Sequence, residues 1–84
     1  MNLETLRNEI DLIDQEMMKL FKKRMEVSKK VGQYKKENGL PILDETREKE
    51  LILRHKNMLN DDKLWPLYEA FIIEMMRLSK ENQK

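Results

Sequence analysis

The stretch Leu3–Gly39, LETLRNEIDLIDQEMMKLFKKRMEVSKKVGQYKKENG, decides the fold. Leu3, Leu6, Ile10, Ile13, Met17 and Leu20 recur at alternating spacings of three and four, and Val27, Val31 and Tyr34 continue the seam. Such a repeat marks a long helix with one buried stripe. Position 24 is the next step of the pattern, and it is arginine. A guanidinium on a buried stripe is costly unless an anion meets it. That anion is either a side-chain carboxylate or a bound ligand, and the choice between them largely decides what the chain does. Asn38-Gly39, followed by Pro41, reads as the stop: glycine at a left-handed cap, proline just beyond. The predicted helix runs from about residue 3 to 38, or about 50 Å. A helix longer than a small globule projects from it, which argues for a second chain alongside.

Composition points the same way. The 84 residues are 39% hydrophobic and 39% charged, so a monomeric core is thin. Domains of this size usually need disulfides, a metal or a partner chain. Cysteine is absent and histidine occurs once, so disulfides are excluded and a zinc site is not expected. No metal and no cofactor is predicted, and self-association is the expected source of burial. The net charge of +1 gives no overall pull toward nucleic acid or membrane. Lys22-Lys23-Arg24 and Lys29-Lys30 are basic, but Glu16 and Glu26 lie nearby and few aromatics interleave, which argues against a nucleic-acid surface. The first residues lack the apolar run of a signal peptide, and no stretch approaches membrane-spanning length. A reducing, cytoplasmic setting is expected.

The rest of the chain reads as two shorter helices. Asp44 is a good N-cap, with Glu45 and Glu48 in the first turn. The second helix is predicted over 44–59, burying Leu51, Ile52, His55, Met58 and Leu59. Asn60-Asp61-Asp62 forms the next break, and Pro66 suits a first turn. The third helix is predicted over 62–80, with Leu67, Phe71, Ile72, Met75 and Ser79 on one stripe and a frayed end from Glu81. The expectation is one all-α domain over 1–84, built from three helices and stabilised by self-association.

Candidate chemistry lies on the cations. Lys35 is eleven residues beyond Arg24, within about 20° of the same face and about 16 Å along the axis. Long side chains there can lean toward a common ligand. Arg7 is seventeen residues before Arg24, about 25 Å away and about 100° around the helix. One chain cannot aim both arginines at one small molecule, whereas two antiparallel copies can, each site borrowing Arg7 from the other chain. Asp44, Arg47 and Glu48 cluster in the first turn of the second helix. Several cations around one or two carboxylates suit a small dianion. Against this stands the ordinary fate of helical Arg and Lys, solvated or paired at i,i+4. That alternative applies most to Lys35 and Arg47 and least to Arg24. His55 lacks an evident Ser or Asp partner and reads as a face residue, not a general base. The seven methionines read as core filling, and the two glycines carry no phosphate-cradle motif.

Four segments resemble the all-helical chorismate mutases: Leu6-Arg7-Asn8-Glu9-Ile10-Asp11-Leu12-Ile13-Asp14, Leu20-Phe21-Lys22-Lys23-Arg24-Met25, Val31-Gly32-Gln33-Tyr34-Lys35-Lys36 and Pro41-Ile42-Leu43-Asp44-Glu45-Thr46-Arg47-Glu48. They follow the family order and spacing over about residues 3 to 54. Tyr68 to Lys80 fits the last helix more loosely, through Ile72-Ile73-Glu74. The resemblance implies an intertwined helical homodimer with two sites that take chorismate. It implies that Arg24 and the other chain's Arg7 bind the two carboxylates and that Lys35 donates to the ether oxygen. Asp44 and Glu48 would meet the ring hydroxyl, Arg47 would complete the cationic wall, and Val31, Leu51 and Ile73 would form apolar walls. In the last helix, Met76 aligns where the family commonly has a small polar residue. Lys80 aligns where many members place a glutamine that donates to the ether oxygen. A lysine can still donate there and would act as a catalytic residue, though beside Lys35 like charges repel. Ser79 or Gln83 substitutes if that helix is shifted.

The implied reaction is the Claisen rearrangement of chorismate to prephenate, in the biosynthesis of phenylalanine and tyrosine. Two other readings stay open. The same fold in a related family cleaves isochorismate to salicylate and pyruvate. A non-catalytic dimerisation module is the third, and it predicts Arg24 paired with a protein carboxylate.

Overall fold

The computed structural model describes residues 2–84 as three helices: α1 (Leu3–Glu37), α2 (Glu45–Leu59) and α3 (Trp65–Gln83), with no strand among the described residues. The fold is all-α. Asn2 caps α1, its side chain accepting from the Thr5 amide at 2.8 Å. The helix stops as the sequence predicts. Gly39 adopts a φ of 65°, its amide donates to the Lys36 carbonyl, and the Leu40 amide reaches back to Lys35 at 2.8 Å. Those two bonds satisfy carbonyls that the last turn leaves open. The Asp44 carboxylate accepts from the Arg47 amide at 3.0 Å and starts α2, which ends at Asn60 in a left-handed conformation.

The third helix departs from expectation at both ends. Asp61 does not cap a helix directly. Its carboxylate accepts from the amides of Lys63 and Leu64, holding a turn, so α3 starts at Trp65 with Pro66 in its first turn. At the far end α3 runs on to Gln83, because its last turn is held by α1. The Ser28 hydroxyl donates to the Ser79 carbonyl at 2.9 Å, and the Asn82 side-chain Nδ2 donates to the Met25 carbonyl at 2.6 Å. Gly32 allows the backbones to close: a Cβ there would lie 2.5 Å from the Gln83 carbonyl oxygen.

Helix α1 packs on α3 and α3 packs on α2, while α1 and α2 do not touch. The core is small, with Trp65, Ile72 and Met76 as its buried apolar residues. The molecule measures 54 × 26 × 16 Å. Its long axis is therefore α1 itself, about 52 Å at 1.5 Å per residue. The seam residues of the N-terminal half of α1 stand in the open, among them Ile10 (54% exposed) and Ile13 (57%). Tyr34 is likewise exposed. Met58 and Leu67 were expected to be buried and are the most open apolar side chains, at 74% and 71%. No element of the chain lies opposite them. Among the described residues no helix is long and apolar enough to cross a membrane.

Candidate active site

Because α1 and α2 both rest on α3 without touching, a gap remains between them. It forms a cavity of about 300 Å³. Arg24, Val31 and Lys35 enter it from α1, Ile42 and Asp44 from the connector, Arg47, Glu48 and Leu51 from α2, and Met76, Ser79, Lys80 and Gln83 from α3. The spacing argument for Arg24 and Lys35 thus holds: both lean into one space.

Neither of those two cations is neutralised. Arg24 is half-buried and its guanidinium donates to the Ser79 hydroxyl, while among the described residues no carboxylate forms a salt bridge with it. Lys35 donates to the Ile42 carbonyl at 2.7 Å and to the Gln83 side-chain oxygen at 3.1 Å. These neutral partners fix both heads in place and leave the charges unanswered. The carboxylates are committed elsewhere. Asp44 accepts from the Arg47 amide, and Glu48 pairs with Lys80 at 2.9 Å. Four cations thus face two carboxylates, a formal surplus of two positive charges. A semi-enclosed space with that surplus and fixed donors is suited to a small dianion.

Ile73, Met76 and Lys80 are placed differently from expectation. Ile73, expected as an apolar wall, is 49% exposed and does not line the cavity. Met76 does not sit where a small polar residue was expected to act; it is a buried core residue whose flank forms a wall. Lys80 lines the cavity, and its ammonium is paired with Glu48. The positions beside Arg24 and Lys35 are held by Ser79 and Gln83. The shift is three residues, nearly one turn. A signal for it existed, since Ser79 and Gln83 are themselves a small polar residue and a glutamine four apart. Val27, Ser28 and Ile42 also line the cavity without having been singled out. Arg7 lies outside it, near the far end of α1.

His55 has a partner of a kind not anticipated. Its Nδ1 lies 3.0 Å from the Tyr68 hydroxyl. Burial, then the charges of Arg54, Arg24 and Arg47, push its pKa below the ordinary histidine value. It borders an open, largely apolar groove of about 580 Å³, formed with Met17, Met18, Phe21, Phe71, Ile72 and Met75. Arg24 lines both this groove and the cavity, so it stands on the wall between them.

Comparison with known proteins bears on the same residues. The family described as chorismate mutase type II matches residues 6–84. The T-protein of Haemophilus influenzae is 36% identical over 84 residues, covering 96% of this chain and 22% of that protein. The intracellular chorismate mutase of Mycobacterium tuberculosis is 39% identical over 61 residues, covering 73% of this chain and 58% of that protein. The chain therefore spans about a fifth of the first of these relatives and somewhat under two thirds of the second. A conserved hypothetical protein from Pyrococcus furiosus has the same fold, with a TM-score of 0.75 at 36% identity over 98% of this chain and 95% of that one. Since the family match takes in α1 from Leu6 onward, both other helices and every residue that lines the cavity, the chain belongs to the type II chorismate mutase family.

Proposed function

We propose that this chain is a chorismate mutase acting as an intertwined homodimer in the cytoplasm, turning chorismate into prephenate on the route to phenylalanine and tyrosine. The observation that carries the reading is the pair of unneutralised cations, Arg24 and Lys35, fixed by neutral oxygens in a cavity with a surplus of two positive charges. A dimerisation module would place a carboxylate against Arg24, and a serine hydroxyl is there instead.

On this reading Arg24 binds one substrate carboxylate, and Arg7 of the second copy binds the other. Lys35 donates to the ether oxygen. Gln83 accepts from Lys35 through its carbonyl oxygen, which leaves its amide NH₂ free to make a second donation there. Asp44 and Glu48 accept from the ring hydroxyl, Arg47 completes the cationic wall, and Val31 and Leu51 pack against the ring. In the reaction the ether C–O bond breaks as a C–C bond forms within one molecule, and no proton is transferred. The protein's task is to hold the flexible enolpyruvyl arm over the ring. Its second task is to present fixed donors to the oxygen on which negative charge develops.

The test mixes the purified protein with chorismate, follows its loss and identifies the product, with Arg24→Ala in parallel. Prephenate is expected from the wild type. Arg24→Ala is expected to lower kcat/KM by about 100-fold or more, the scale of misplacing a substrate that a fixed guanidinium positions. Near-normal turnover by that variant overturns the assignment. Salicylate and pyruvate from isochorismate, with chorismate untouched, would make the chain a lyase.

A further inference from the structure

The four ion pairs in the described residues are not alike. Three are local, at i,i+3 spacing along or at the end of a helix, with both side chains more than half exposed. Pairs of that kind contribute little. The fourth, Lys80 to Glu48 at 2.9 Å, joins α3 to α2, and its side chains are only 30% and 26% exposed. Both residues line the cavity. Lys80 also sits between Ser79, which holds Arg24, and Gln83, which holds Lys35.

We propose that Lys80 is a positioning residue that acts through Glu48: it neutralises and aims this carboxylate so that a dianion can share the cavity with it. The inference rests on the mutase reading of the site. A carboxylate in a space for a doubly charged anion repels its ligand unless it is balanced locally. Glu48 meets Lys80 through Oε2, which leaves Oε1 as an acceptor for a substrate hydroxyl. The ammonium thus converts a repulsive group into a hydrogen-bond acceptor of fixed direction. Without Lys80 the carboxylate is free to swing toward Arg47 or Arg24 and compete with the substrate for them. This differs from a direct role at the ether oxygen, where Lys35 and Gln83 already meet.

The test is a double-mutant cycle on the full chain, read by chorismate kinetics and by calorimetric titration with prephenate. Lys80→Met keeps the alkyl stem and removes the charge. It is expected to raise KM and the prephenate Kd by about 3- to 10-fold, with kcat changed less than about 2-fold, the range for a partly exposed pair. Lys80→Arg should restore both constants toward wild type. With Glu48→Gln already present, Lys80→Met should change KM and Kd by less than about 2-fold, because no carboxylate remains to balance. Helicity and melting temperature check that every variant folds. The proposal is overturned if Lys80→Met matches wild type, or if its effect is the same in both backgrounds. The second result would mean direct contact or a general field effect. A wild type that neither turns over chorismate nor binds prephenate would instead remove the mutase reading, and this inference with it.

Discussion

At the scale of single residues, Arg24 and His55 show how charge is handled on either side of one wall. Arg24 is tolerated on an apolar seam because Ser79 satisfies part of its donor set and the cavity leaves the rest accessible to a ligand. His55 is kept neutral by burial and by Arg54, Arg24 and Arg47, while Tyr68 supplies its hydrogen bond. The sign of the consequence follows from the lowered pKa. The unfolded chain takes up the proton first, so the stability His55 contributes is fully present above about pH 6.5. It is lost as pH falls through the folded value. Thermal melts of wild type and His55→Leu from about pH 7.5 down to 5 are expected to show the wild type losing ground to the variant on the acid side. Parallel curves would show that His55 plays no such part. Most of the cavity's charged residues were legible from sequence for the reasons that put them there. Arg24 breaks a seam, Lys35 follows by helical geometry, and Asp44, Arg47 and Glu48 sit in a capped first turn. Ser79 and Gln83 were legible only as alternatives to Met76 and Lys80, because a shift of three residues along α3 leaves its apolar stripe nearly unchanged.

At the scale of the helices, what fixes the register of α3 is its contact with α1. Ser28, Met25 and Gly32 present a hydroxyl, a carbonyl and a bare backbone to Ser79, Asn82 and Gln83. None of these pairings has a periodic signature, since each depends on two segments about fifty residues apart meeting in space. The start of α3 was hidden for a similar reason: Asp61 is a capping residue by type, and only its bonds to Lys63 and Leu64 show that it holds a turn. Gly32 is the sharpest point of the interface. Gly32→Ala must push the last turn of α3 away from α1. It is expected to cost about 1–3 kcal/mol, as overpacking does. It should also weaken substrate binding by moving Gln83 off Lys35. Chemical denaturation together with KM would measure both, and an unchanged KM in a destabilised protein would separate the interface from the site.

At the scale of the whole molecule, the thin core and the open seam of α1 are the dominant facts. Helix existence and length were legible because the pattern of α1 and its glycine stop are strong. Burial was not, because the sequence marks which faces are apolar without saying which chain covers them. Met58 and Leu67 show the same limit on α2 and α3. For the proposed antiparallel dimer the decisive test is complementation. Arg7→Ala and Arg24→Ala should each be nearly inactive alone. Unfolded together and refolded as a mixture, they should recover about one quarter of wild-type activity. Half the dimers are then mixed, and each has one intact site of two. No recovery would mean that both arginines act within one chain, and an active Arg7→Ala variant would mean that Arg7 has no part in the site.

The rod-like shape of α1 carries a further consequence. Every residue of this helix from Leu3 to Lys23 is exposed in the single chain, and isolated helices in water are marginal. In the proposed dimer, folding and association are then a single bimolecular event, with no finished monomer that later docks. Mass action therefore governs the native state, and its population depends on how much of the chain is present. Dilution alone, with no change of temperature or solvent, then acts as a denaturant.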